Sequence, residues 1–216
     1  MALSPAKAHF TRQRAALQSQ AAVGAGLGDQ YQFMKAALVE DKRRLHDLQS
    51  IERKIELKAK LLPQYRPYID GVLDSQSGAP DDVFTLLMLW HIDIADMELA
   101  LKMATYAIKH GLPAPDAHQR STACLVTEEI AEYHLKQFAK GEAAPNARPQ
   151  LEDLAELVKS ADMPDPVRAK LYKALGLAQK DKYPRSALAS LERALELDAR
   201  AGVKKDIAAL KKLSQA

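Results

Sequence analysis

The sequence has 216 residues, of which 47% are hydrophobic and 27% charged, as in ordinary globular proteins. Its longest nearly apolar run, residues 83–90, is too short to cross a bilayer, and a single cysteine excludes an internal disulfide and a cysteine-based zinc site, so we expect a cytoplasmic protein without a membrane partner. The net charge is only +3, but the excess cations lie near the two ends of the chain, which predicts weak DNA binding by one copy.

A basic helix is predicted near the start of the chain, within residues 1–28. Ser4 can cap this helix, and Pro5 suits its first helical position. The glycines of VGAGLG, residues 23–28, predict a hinge after it. Because the segment carries three basic residues and no acid, we expect it to contact DNA phosphates. These candidates are Lys7, Arg12 and Arg14.

A long helix is predicted from Asp29, as its cap, to the first breaker at Pro63. Apolar residues recur there in alternating steps of four and three, which is typical of a coiled-coil seam. A helix of about 50 Å exceeds what a small domain can cover, so we assign residues 29–66 to contacts between copies. Packing of this helix on its own core is the alternative. The candidate oligomerisation residues are Met34, Leu38, Leu45, Leu48, Ile55 and Leu62.

The other faces of this predicted helix are rich in basic side chains. They can contact DNA, or they can form a solvated face that is held by ion pairs within the helix. We keep four of them as candidate DNA-binding residues: Lys42, Arg43, Arg53 and Lys54.

Residues 67–141 are predicted to form a helical domain around DDVFTLLMLWHIDIADMELALKMA, residues 81–104. Asp81 can cap the buried helix that follows it, and Asp96 can cap the next helix after a tight connection. That second helix is expected to end at Gly111, and a further helix is expected from Thr127 to Gly141.

The aspartates of this stretch can also be read as a metal-dependent nuclease site, which needs two or three carboxylates around Mg²⁺. Asp93 and Asp96 are three residues apart and could converge. Asp81 and Asp82 lie at the other end of the helix, about 18 Å away, and could not reach the same cation. We therefore predict no catalytic site and no bound metal or cofactor. Asp93 and Asp96 are the remaining catalytic candidates, and they would require Mg²⁺.

Residues 150–216 are predicted to form a domain of short amphipathic helical hairpins with a basic end. The spacing of Ala187, Leu191 and Ala194, after a helix that carries Gly176, resembles the tetratricopeptide pattern, in which small residues let two helices approach closely. The predicted fold is therefore all-α, with a long coiled-coil-like helix followed by hairpins that are partly tetratricopeptide-like. The basic end adds four candidate DNA-binding residues: Lys204, Lys205, Lys211 and Lys212.

Several stretches together resemble the phage small terminase family. They are SPAKAHF (4–10), LLPQYRPYIDGVL (61–73), the segment 78–112, MPDPVRAKLYKALGLA (163–178) and DARAGVKKDI (198–207). The likeness spans nearly the whole chain in unchanged order and is greatest to the terminase endonuclease subunit of temperate contractile-tailed phages with cohesive DNA ends. Members can extend into a lysine- and arginine-rich tail beyond LKKLSQA, so a DNA-binding role of such a tail is not transferred to this sequence.

The resemblance implies a subunit of a DNA-packaging motor in the cytoplasm of a bacterial host. Such a subunit forms a homo-oligomeric ring, binds viral double-stranded DNA at the packaging site and recruits or regulates the large terminase ATPase, with the portal as a further partner. Two alternatives remain open. One is an endonuclease subunit that itself cleaves concatemeric DNA at the cohesive-end site, and the other is a helical-hairpin scaffold that binds only protein.

Overall fold

The fold was analysed in a computed structural model, which describes residues 4–21, 28–115, 120–142 and 146–213. Within these ranges the chain forms eleven α-helices and one 3-10 turn and no strand, so the predicted all-α fold is confirmed. The helices are α1 (Pro5–Ala21), α2 (Asp29–His46), α3 (Ile51–Leu61), α4 (Arg66–Ser75), α5 (Asp82–Asp93), α6 (Met97–Lys109), α7 (Thr122–Ala139), α8 (Ala147–Leu157), α9 (Asp165–Gln179), α10 (Pro184–Leu197) and α11 (Lys204–Leu213).

The chain divides into two compact units, unit 1 (Met1–Thr122) and unit 2 (Ala123–Ala216), with the boundary at the start of α7. The finer division into four segments stays a prediction. The predicted glycine hinge lies almost wholly outside the described residues. None of the described helices is both long enough and apolar enough to span a bilayer.

The single long helix predicted for residues 29–62 is wrong. The chain leaves the helix after α2, and α3 begins only at Ile51. Neither glycine nor proline marks the break. Instead, Ser50 adopts an extended backbone and its hydroxyl accepts a hydrogen bond from the Arg53 amide at 3.4 Å, which starts a new helix. Asp29 is the first residue of α2 and not its cap, because Gly28 occupies the cap position.

Four of the six predicted seam residues belong to the core of unit 1. None of the four has more than 8% of its surface exposed. Leu48 is half-buried, and Ile55 is 37% exposed. The role of the six in contacts between copies stays a prediction, and for the buried ones such contacts would require unit 1 to open. Those four are Met34, Leu38, Leu45 and Leu62.

Helix α1 packs closely on α4 because a glycine lies at their crossing. A Cβ on Gly71 would lie 2.4 Å from the Arg12 carbonyl oxygen and 2.7 Å from the Ala15 Cβ. These distances are well below van der Waals contact, so only glycine permits this approach. The chain's first helix is thereby fixed to unit 1.

Helices α9 and α10 of unit 2 form a close antiparallel hairpin. A Cβ on Gly176 would lie 2.6 Å from the Leu191 side chain and 3.2 Å from the Ala187 carbonyl oxygen. Ala187, Leu191 and Ala194 are fully buried, as expected for small and apolar residues at a close crossing. The likeness to a tetratricopeptide hairpin stays a prediction. Ile207 of α11 joins the same hydrophobic cluster as Ala187 and Leu191.

The helix predicted to start at Thr127 begins five residues earlier, at Thr122. The reason is that Thr127 does not cap a helix. Its hydroxyl donates a hydrogen bond to the Ala123 carbonyl one turn earlier, and its side chain is fully buried. The other end was predicted correctly, because Gly141 follows the helix with a left-handed backbone (φ +76°).

Candidate nucleic-acid and self-association surfaces

Asp81 is a buried helix cap. Its carboxylate accepts a hydrogen bond from the Phe84 amide at 2.8 Å and another from the Tyr68 hydroxyl at 2.5 Å. Only 3% of its surface is exposed, and this burial raises the pKa of the carboxyl to about 6. The predicted capping role of Asp81 at the start of α5 is therefore confirmed.

The adjacent carboxylate of Asp82 is held by two donors from α2. The Tyr31 hydroxyl donates to it at 2.5 Å and the Lys35 ammonium at 2.9 Å. Partial burial alone would raise the pKa of Asp82, but these hydrogen bonds outweigh it and the pKa falls below its usual value. This polar cluster joins α2 to α5.

The two catalytic candidates are each engaged by a different side chain. Lys58 donates to Asp93 and lies over the Trp90 ring, 5.7 Å from its centroid. Asp96 caps α6 and contacts the Nδ1 of His91 at 3.0 Å. Burial lowers the pKa of His91, against the opposing effect of Asp96. Across the described ranges, no group of three or more His, Cys, Asp or Glu residues is placed to hold a metal ion.

Three of the seven predicted DNA-binding cations of unit 1 already have acidic partners. Arg12 pairs with Asp74 at 2.6 Å, and Arg43 pairs with Glu40 at 2.9 Å. The Arg14 guanidinium lies 3.6 Å from the carboxylate of Asp29 and 5.6 Å from the centroid of the Phe10 ring. Exposed ion pairs of this kind are weak and can exchange for a phosphate.

The other predicted cations of unit 1 form no ion pair with any described residue. Lys7, Lys42 and Arg53 are exposed, and Lys54 is half-buried. Because α2 and α3 are separate helices, Lys42 and Arg53 lie on different helices and not on the one long helix that was predicted. The four cations therefore lie on three different helices of unit 1.

Helix α11 concentrates the exposed cations of unit 2. It buries Ile207 and Leu210 against α10 and leaves its lysines in water. Lys211 pairs with Glu192 at 2.7 Å. The remaining lysines of this helix have no ion pair in the part of the chain that the structure describes, and they are Lys204, Lys205 and Lys212.

Unit 1 also exposes large apolar side chains, and of these the sequence analysis singled out only Ile55. Six of the eight such side chains among the described residues lie in α1–α3. Ile51 is 75% exposed and Ile55 37%, and with exposed Ala59 they form a row at four-residue spacing, here named the α3 stripe. The spacing is visible in the sequence, but Ile51 falls outside the predicted seam. The other four are Phe10, Leu17, Phe33 and Val39.

Comparison with known proteins found one matching family model and two similar proteins. The family model described as phage small terminase subunit matches residues 35–166. The chain is 40% identical over 211 residues to a protein named "Terminase, endonuclease subunit" of Escherichia phage P2, covering 97% of this chain and 85% of that protein.

It is also 25% identical over 117 residues to a protein named "Probable terminase, endonuclease subunit" of Haemophilus phage HP1 (strain HP1c1), covering 54% of this chain and 42% of that protein. No solved structure matches the chain.

Proposed function

The chain belongs to the phage small terminase family, and from that premise we propose that it is the DNA-binding, self-associating small subunit of a phage DNA-packaging motor. In the host cytoplasm it binds viral double-stranded DNA at the packaging site as a homo-oligomeric ring. It also recruits or regulates the large terminase ATPase, and the ring can contact the portal.

The observation that carries this proposal is the group of exposed apolar side chains on α1–α3. Single exposed apolar residues are common, but six on three successive helices of one unit are typical of a contact surface. Burying one such side chain fully contributes about 1.5–3 kcal/mol. We therefore assign self-association to these side chains, and among them to the α3 stripe, which includes Ile55 of the predicted seam.

DNA binding depends on the association of several copies, each of which has a weakly cationic surface. One copy offers a few exposed lysines and arginines, and so few phosphate contacts give weak binding at physiological salt. Copies joined in one assembly bind the same duplex with a raised effective concentration, which increases the overall affinity by orders of magnitude without new contacts. Self-association is thus the step on which DNA binding depends.

The oligomer is tested by light scattering after gel filtration, with the wild type and an Ile51→Glu, Ile55→Glu variant. We expect the wild type to be an oligomer and the variant to be a monomer, because charged side chains cannot enter an apolar contact. The control is Ser186→Glu, Ala189→Glu, which adds the same charge at exposed positions of α10. A monomeric wild type at about 50 μM, where even weak assembly is populated, would refute the proposal.

Binding to duplex DNA is tested by fluorescence anisotropy over a range of salt concentrations. We expect the logarithm of affinity to fall linearly with that of salt, and the slope to lessen by about 0.9 for each phosphate contact removed. The variant is Lys204→Ala, Lys205→Ala, Lys212→Ala. Lys102→Ala, Lys109→Ala, two exposed lysines of α6, is the control. Absence of any salt-dependent binding would favour the scaffold that binds only protein.

An endonuclease function is the second candidate, because the printed name of the relative from phage P2 includes it. The residues here do not suit Mg²⁺, since Asp93 and Asp96 face different partners. We therefore assign cleavage to the large subunit. The test incubates the purified chain and Mg²⁺ with DNA that carries the cohesive-end site. Cutting that is lost in Asp93→Ala, Asp96→Ala would establish the endonuclease instead.

A further inference from the structure

Unit 2 contains a cleft with a volume of about 730 Å³, which none of the surfaces described above includes. It lies where the end of α7, the start of α8 and the end of α9 meet. Its apolar lining comes from Leu135 and Phe138 of α7 and Leu177 and Ala178 of α9, and Leu135, Phe138 and Leu177 are half-buried. A cleft of this volume is large enough for a small molecule or a short peptide segment.

The same cleft is lined by four cations and one acid. Arg148 is engaged by Glu152 at 2.6 Å, and Lys173 donates to the Ala201 carbonyl at 2.7 Å. Lys180 and Lys182 are exposed and form no ion pair with any residue in the described ranges. The positive charges of Lys180 and Lys182 are therefore available to a ligand, with Asp181 as the acid that lines the cleft.

The first turn of α8 adds hydrogen-bond donors to this positive charge. Asn146 occupies the cap position in a left-handed backbone (φ +68°), and its side chain makes no capping hydrogen bond. Ala147 and Arg148 line the cleft, and their amides, in the first turn of the helix, have no partner within it. Cations and apolar side chains thus line one cleft at the N-terminus of α8, a combination that suits a ligand with both carboxylates and an apolar group.

We propose that this cleft binds a short acidic peptide segment with apolar side chains, carried by a protein partner. A peptide suits it better than DNA, because a duplex offers phosphates on a wide, hydrated surface and no side chain for the apolar lining. Acidic residues pair with Lys180 and Lys182, and an apolar residue packs on Leu177. That the partner is another subunit of the packaging motor rests on the function proposed above.

The probe is a synthetic fluorescein-labelled peptide in which glutamates alternate with leucines, titrated with the full chain and followed by anisotropy. We expect saturable binding that weakens by about tenfold when every glutamate is replaced by glutamine, and similarly when every leucine is replaced by serine. The protein variant Lys180→Ala, Lys182→Ala should weaken binding of the parent peptide by about tenfold. Lys102→Ala, Lys109→Ala removes the same charge from unit 1 and should leave binding unchanged.

Three results would overturn this inference. The parent peptide fails to bind at about 1 mM, the glutamine peptide binds equally well, or the cleft variant binds like the wild type. Displacement of the peptide by a short duplex, with an equal loss of DNA affinity in the cleft variant, would identify a nucleic-acid site instead. Oligomer size and DNA affinity, measured on the same proteins, report separately on the packaging function. Circular dichroism verifies that each variant is folded.

Discussion

Asp81→Asn should make unit 1 more stable at neutral pH while leaving it unchanged in acid. Asparagine caps helices as well as aspartate does. Its side-chain oxygen can still accept from the Phe84 amide, so the cap is retained, and its amide NH2 group takes the place of the oxygen to which the Tyr68 hydroxyl donates. The substitution therefore removes the buried negative charge and reverses the direction of the hydrogen bond to Tyr68, as protonation of the carboxyl also does.

The magnitude follows from the raised pKa of Asp81. Burial moves the pKa from 3.8 to about 6 in the folded chain. Between these values the folded state binds more protons than the unfolded state, so the stability that this carboxyl contributes falls as pH rises from about 4 to about 6. At about 1.4 kcal/mol for each pKa unit, the wild type has lost about 3 kcal/mol by pH 7, and the asparagine variant has not.

Urea unfolding followed by tryptophan fluorescence measures this effect directly. The sole tryptophan, Trp90, is buried on the same helix as the Asp81 cap and therefore reports on unit 1. We expect the free energies of unfolding of wild type and variant to agree near pH 4 and to separate as pH rises. Asp82→Asn is the matched control with the opposite sign, because the pKa of Asp82 is lowered and the wild type gains stability from it as pH rises. A pH-independent difference between wild type and Asp81→Asn would refute the reasoning.

Two further substitutions test the packing of each unit. Gly71→Ala should lower the free energy of unfolding of unit 1 by about 1–3 kcal/mol, since its Cβ would collide with the Arg12 carbonyl. Amide exchange in α1 should accelerate, and an unchanged midpoint of urea unfolding would contradict the close crossing. His134→Leu should raise the stability of unit 2 by about 1 kcal/mol at neutral pH, because both ring nitrogens of His134 are buried without a partner in the described ranges. This gain in stability should grow below about pH 6.5, because burial lowers the pKa of His134 to about 4 and the wild type loses stability as pH falls. Unfolding followed by circular dichroism measures the gain, and a gain that is constant with pH would contradict this reasoning.

Helix ends were predicted well where one residue decides them. The caps at Asp81 and Asp96 and the left-handed glycine at Gly111 depend only on the adjacent backbone. The break before Ile51 was missed, because serine also occurs within helices and neither glycine nor proline marks this break. The periodicity of residues 29–62 indicated which side chains are buried, but it could not tell another helix of the same chain from a second copy.

The candidate surfaces were predicted in part. Residue types alone identified the cations, whereas their pairing depends on tertiary structure. Arg12 meets Asp74, 62 positions later in the chain, only because α1 packs on α4. Lys180 and Lys182 lie in a turn that nothing in the sequence distinguishes from other turns. Their position beside an apolar cleft depends on how α7, α8 and α9 pack.

In the proposed ring, the interruption between α2 and α3 limits how far neighbouring copies can overlap along a helix. Helix α3 has 11 residues and is about 16 Å long, roughly a third of the uninterrupted helix, so two copies joined along it touch over only three turns. Each pairwise bond is then weak by itself. In a closed ring, however, the final bond forms between copies that are already tethered, without further loss of translational freedom. Short bonds of this kind favour complete rings over open arcs, and rings should appear abruptly as the protein concentration rises.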